Sequence, residues 1–107
     1  MKAIIIFNEA IRKEAESGIY NNISYEALIN EYSIQPEHVL YYIPLTISGG
    51  SYQERKNSLE ETAKEWQRSN YDFIDWSYGE LATIQEFFET NARRYGLTET
   101  FKTEGII

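Results

Sequence analysis

The sequence predicts an α+β fold: a small sheet of three or four strands packed with three or four helices, in a single domain spanning residues 1–107. Three observations carry this expectation. The chain opens on a continuous apolar run, Ala3-Ile4-Ile5-Ile6-Phe7, which reads as a strand covered on both faces. Two segments, Ser51-Tyr52-Gln53-Glu54 and Ser77-Tyr78-Gly79-Glu80, have the Ser-x-x-Glu spacing of a capping box, in which hydroxyl and carboxylate satisfy backbone donors at a helix start. Finally, 107 residues with 42% hydrophobic and 25% charged content resemble an ordinary folded chain and suffice to bury a core without staples.

The elements follow in order. A strand is expected at 2–7. Asn8 then caps a short helix over 9–17, with Ile11 and Ala15 inward and Gly18 as its stop. Residues 19–22 read as a turn. Ser24 caps the next helix, with Ile23 and Leu28 in hydrophobic-staple spacing and Tyr25, Leu28, Ile29 and Tyr32 on its inner face. His38 to Ile43 is β-branched and aromatic, which favours a strand running to Ile47. Pro44 within it argues for an edge or a break. The alternative places Pro36 at the first position of a short helix that ends before Pro44.

The Ser48-Gly49-Gly50-Ser51 turn leads into a third helix, whose apolar seam is Leu59, Ala63 and Trp66 and whose end is Asn70. A strand is expected at 71–76. The last long helix starts at Ser77, with Trp76 and Leu81 in staple spacing. Leu81, Ile84, Phe87, Phe88, Ala92 and Tyr95 give it one broad apolar face, and Gly96 is a left-handed stop. Residues 97–103 alternate Leu97 and Phe101 against Thr98, Thr100 and Lys102, as an edge strand with one wet face does. The near alternation of strands and helices also allows a parallel α/β sheet. Ser51 and Ser77, Tyr52 and Tyr78, Glu54 and Glu80, Arg68 and Arg94 share one offset. The hydrophobic pattern does not repeat with them, so shared capping chemistry explains the offset better than a repeat architecture.

Composition excludes several classes of chemistry. With no cysteine and one histidine, His38, there is no disulfide, no thiolate zinc site and no cysteine nucleophile, and no metal or other cofactor is expected. A lone histidine among serines and acids does not make a Ser-His-Asp device. Glu60 and Glu61 lie on a solvated helix face, and Asp72 and Asp75 point to opposite faces of a regular strand, so neither pair forms a catalytic dyad. No apolar run approaches membrane-spanning length, and the first residues do not form a signal peptide, so a cytoplasmic protein is expected.

Charge says more. Seventeen acids against ten bases give a formal charge of −7, which repels bare nucleic acid and favours basic partners. From Glu14 to Glu54 there is no Lys or Arg, while Glu14, Glu16, Glu26, Glu31, Glu37 and Glu54 lie in that window. Tyrosine, present nine times, is favoured where protein surfaces meet. The candidate protein-binding residues are therefore Glu26, Glu31, Glu37, Tyr41, Tyr42, Asp72 and Asp75, with Trp76 and Tyr71 as further aromatic anchors.

Two other sites compete with that surface. Ser48, Gly49, Gly50 and Ser51, with Arg55 close by, stand at a helix N-terminus, where free N–H groups and the dipole attract a phosphate or carboxylate. No Walker or dinucleotide spacing accompanies them. Residues 24–43 loosely resemble a helix-turn-helix, which would turn Gln35, Glu37, His38 and Tyr41 toward a DNA groove. Yet the window holds no cation to meet phosphates. The function expected from the residues is a non-enzymatic binding module that docks on a basic protein, such as a nuclease or nucleic-acid-binding complex, without contacting nucleic acid directly. In size, charge and composition alone, the chain is similar to the broad group of phage or mobile-element inhibitors of nucleases, anti-CRISPR proteins among them, and to toxin-immunity proteins. That likeness implies a steric or nucleic-acid-mimicking block. Oligomeric state is not legible.

Overall fold

Among the described residues, the apolar run at the start of the chain is the central strand of a three-stranded antiparallel sheet. In a computed structural model, which describes residues 2–8, 11, 17–21, 24–32, 34–69 and 76–107, β1 (Lys2–Phe7) lies between β2 (Gly18–Asn21) and β3 (Val39–Pro44) in the order β2-β1-β3. Among the described residues, four helices accompany the sheet: α1 (Tyr25–Asn30), α2 (Tyr52–Ser69), α3 (Tyr78–Tyr95) and α4 (Thr98–Thr103). The fold is thus α+β, with an antiparallel rather than a parallel sheet. Its contacts divide it into two units, Met1–Leu45 and Thr46–Ile107.

In the first unit, Ala3, Ile4, Ile5 and Ile6 have no solvent exposure and Phe7 is buried. Such a strand belongs at the centre of a sheet, since burying each large aliphatic side chain contributes roughly 1.5–3 kcal/mol. Ala3, Ile5 and Phe7 share a face and pack with Leu28 of α1, joined by half-buried Ile11, Tyr20, Ile34, Val39 and Tyr42. Phe7 meets Tyr20 edge to face at 6.4 Å. α1 begins where its cap says it should, with the Ser24 hydroxyl accepting the Ala27 N–H at 3.1 Å.

The backbone pairing shows why Pro44 is tolerated. Leu45 N–H donates to Lys2 C=O at 2.8 Å, and Ile43 stands opposite Ile4 and Tyr41 opposite Ile6. Hydrogen-bonded pairs alternate along an antiparallel ladder, so Tyr41, Ile43 and Leu45 turn their backbone groups toward β1 and Pro44 turns its own outward. The N–H that proline lacks is one the ladder does not use. A register shift follows: Ile6 faces Tyr41 but Phe7 faces Val39, leaving Leu40 opposite no residue of β1. On the other side, Phe7 N–H donates to the Ser17 hydroxyl at 3.0 Å, extending the pairing past the end of β2.

Several expectations change here. Gly18 is not a helix stop and residues 19–21 are not a turn. They form β2, with Gly18 opposite Ile5 and Tyr20 opposite Ala3, because an antiparallel neighbour satisfies the β1 backbone and Ile19 and Tyr20 suit a pleated surface. Both readings of 36–43 hold in part: Pro36–His38 is a single 3-10 turn and Val39–Pro44 a strand, which ends before Ile47. The second helix that a helix-turn-helix needs is therefore not formed. The helix expected at 9–17 and the strand expected at 71–76 lie largely or almost wholly outside the described residues.

The described elements of the second unit are helices. α2 buries Leu59, Ala63 and Trp66, as its narrow seam implies, and also Ser69, whose hydroxyl donates to Trp66 C=O at 2.9 Å. α3 starts with a complete capping box: the Ser77 hydroxyl accepts Glu80 N–H at 3.1 Å and the Glu80 carboxylate accepts Ser77 N–H at 3.0 Å. It buries Ile84, Phe88, Ala92 and Tyr95, and stops at Gly96 in the left-handed region, φ 69°. Leu81 on the expected face is largely exposed.

Residues 97–103 are the clearest correction. They form α4, not an edge strand. Leu97 N–H closes back on Ala92 C=O at 2.8 Å, which reverses the chain straight into a new helical turn. Leu97 and Phe101, four apart, then fall on one helix face and are both buried, with Phe101 edge-on to Phe88 at 6.2 Å. The same two residues fit a strand only if alternation is read from polar neighbours, and tertiary packing overrides that weak preference. Ile106 N–H donates to Phe101 C=O at 2.8 Å, and the Gln67 amide donates to Glu104 C=O.

Candidate protein-binding surface

α1, its C-cap and the 3-10 turn carry three of the four described carboxylates of the cation-poor window, the fourth being Glu54 of α2. Glu26 sits in the first turn of α1, where a negative charge complements the helix dipole. Glu31 is its C-cap, the end where the same dipole disfavours an anion. Glu37 lies in the 3-10 turn, which is tied to the end of β1 by Asn8: its amide donates to Glu37 C=O at 2.7 Å and its N–H to His38 C=O at 2.9 Å. All three side chains are exposed, and none is in an ion pair with a cation among the described residues. Fixed backbone with free carboxylates is what charge-based docking needs.

The tyrosines divide differently from the sequence expectation. Tyr41 and Tyr42 are neighbours in β3, so they project to opposite faces of the sheet. They cannot act as one pair of anchors. Tyr42 belongs to the core beneath α1, and burial raises its phenol above the ordinary value, opposed by a backbone hydrogen bond from Tyr25. The exposed aromatics are instead Tyr25, at 40%, and Tyr32, at 59%, which were expected on the inner face of their helix. Tyr25 leans edge-on against Tyr42 at 5.6 Å, so one side of its ring is supported while the rest meets solvent. Helical spacing could not show this, because α1 is only six residues long and Leu28 alone fills its buried centre. Leu40 is also exposed, an outcome of the register shift that no sequence pattern announces. Asp72, Asp75 and Tyr71 lie outside the described residues. Trp76 is half-buried and packs on Trp66 at 5.3 Å, an internal role rather than an anchor.

At the other candidate, the turn before α2, the structure places the named residues together and folds the Glu54 side chain back onto the turn. The Ser51 hydroxyl accepts Glu54 N–H at 3.1 Å and donates to the Glu54 carboxylate at 3.2 Å, and Gly50 N–H points to the same carboxylate at 3.5 Å. Ser48 N–H donates to the Ser58 hydroxyl at 3.1 Å. Arg55 turns away, its Nε donating to the Tyr95 hydroxyl at 2.8 Å. Gly49 has φ 130°, and a Cβ there would stand 2.8 Å from Glu54 Cβ, so only glycine lets the turn fold this closely over the helix start. The chain's own Glu54 serves as the anion of this N-terminus.

Among the described residues, no group of three or more His, Asp or Glu side chains is placed to hold a metal ion, and no helix is long and apolar enough to cross a membrane. No protein-family model, no curated protein and no solved structure matches this chain.

Proposed function

We propose that the chain is a non-enzymatic binding module that docks on a basic protein through the α1 surface of its first unit. One observation supports this reading above others: Glu26, Glu31 and Glu37 are exposed and, among the described residues, without an ion-pair partner, and Tyr25 and Tyr32, the chain neighbours of Glu26 and Glu31, are exposed as well. Carboxylates that are already neutralised by neighbouring cations contribute little to a partner, whereas free ones steer association and select against acidic competitors. Tyrosine adds amphipathic contact area at small entropic cost.

The finer reading is an inhibitor of a nuclease or another nucleic-acid-processing protein, of anti-defence, anti-CRISPR-like or immunity type, in which carboxylates stand in for phosphates across a cationic groove. It rests on size, charge and composition together with that surface, and it places the protein in the cytoplasm with its target. Capture from host lysate with and without nuclease treatment tests it. A basic nucleic-acid-processing protein retained after treatment, released by salt and lost with Glu26→Gln, Glu31→Gln and Glu37→Gln combined, is the expected result. A complex indifferent to salt and to those substitutions removes the electrostatic mechanism.

A further inference from the structure

We draw no further inference here: the strongest candidate, the exposed stripe of Tyr78, Leu81 and Ala82 along the first turns of α3, is an unpartnered apolar helix face, and nothing in the structure shows what covers it.

Discussion

Replacing Glu54 with alanine separates a helix start that caps itself from one that waits for a phosphate. Three contributions are lost together. A carboxylate in the first turn of α2 is worth about 0.3–1 kcal/mol against the helix dipole. Its bond from the Ser51 hydroxyl, at 3.2 Å and solvent-exposed, adds about 0.5 kcal/mol at most. The Gly50 N–H contact, at 3.5 Å, is too long to add much. The loss is therefore about 1 kcal/mol, which for a unit of this size lowers Tm by roughly 4–8 °C. The readout is specific, because both tryptophans, Trp66 and Trp76, lie in the second unit. Urea unfolding followed by tryptophan fluorescence then reads the transition from inside that unit. Phosphate supplies the second arm. An open site would bind it and gain about 0.4 kcal/mol when its concentration equals Kd, whereas Glu54 already occupies the site in the wild type. Wild-type protein should show no phosphate-dependent shift. A clear shift in the wild type, or a Glu54→Ala variant as stable as its parent, would refute the self-capping account.

Phe88→Ala removes a fully buried ring that packs on Phe87 and Phe101 and should cost about 3–5 kcal/mol, enough to abolish the fluorescence transition of the second unit. Gly49→Ala meets both a positive φ and the Glu54 Cβ, so it should destabilise by about 1–3 kcal/mol in the same urea series, while Gly50→Ala, where a Cβ meets nothing, is tolerated. Tyr42, whose phenol is raised by burial, keeps its proton in the folded state after the unfolded chain has lost it. Stability should therefore fall as pH rises above the ordinary tyrosine value, and Tyr42→Phe should flatten that alkaline decline.

What the sequence revealed depended on how local the determining physics was. Ser24, Ser77 and Gly96 act on backbone groups within a turn of themselves, and each sits where its spacing implies. Ala3 to Ile6 are too apolar to be anything but central. By contrast, β2 exists because β1 needs a second neighbour, and α4 exists because Phe101 reaches Phe88. Those are contacts between distant residues that no window of sequence contains. The candidate surface divides along the same line. Glu26, Glu31 and Glu37 were legible as charges without counterions. Which tyrosines accompany them was not, since that turns on a strand's alternation at Tyr41 and Tyr42 and on the short length of α1.

Charge is where the two units differ most in meaning. Residues 1–45 hold six acids and three bases, and 46–107 hold eleven acids and seven bases, so the surplus is nearly equal in each. Its arrangement is not. Along α2 and α3, acids and bases interleave at helical spacing, and Arg68 meets Glu65 at 3.5 Å; such pairs cancel at a distance and contribute little at an exposed surface. In the first unit all three bases, Lys2, Arg12 and Lys13, precede Glu14, and the carboxylates that follow have no cation later in that unit. A charge swap discriminates between surplus and arrangement. Glu26→Lys with Glu31→Lys changes net charge by the same amount as Glu61→Lys with Glu86→Lys, two exposed sites of the second unit. If arrangement governs docking, the first pair should slow association steeply at low salt and the second should not. Equal effects from the two pairs would mean that only total charge matters, and the α1 surface would lose its claim to be the docking site.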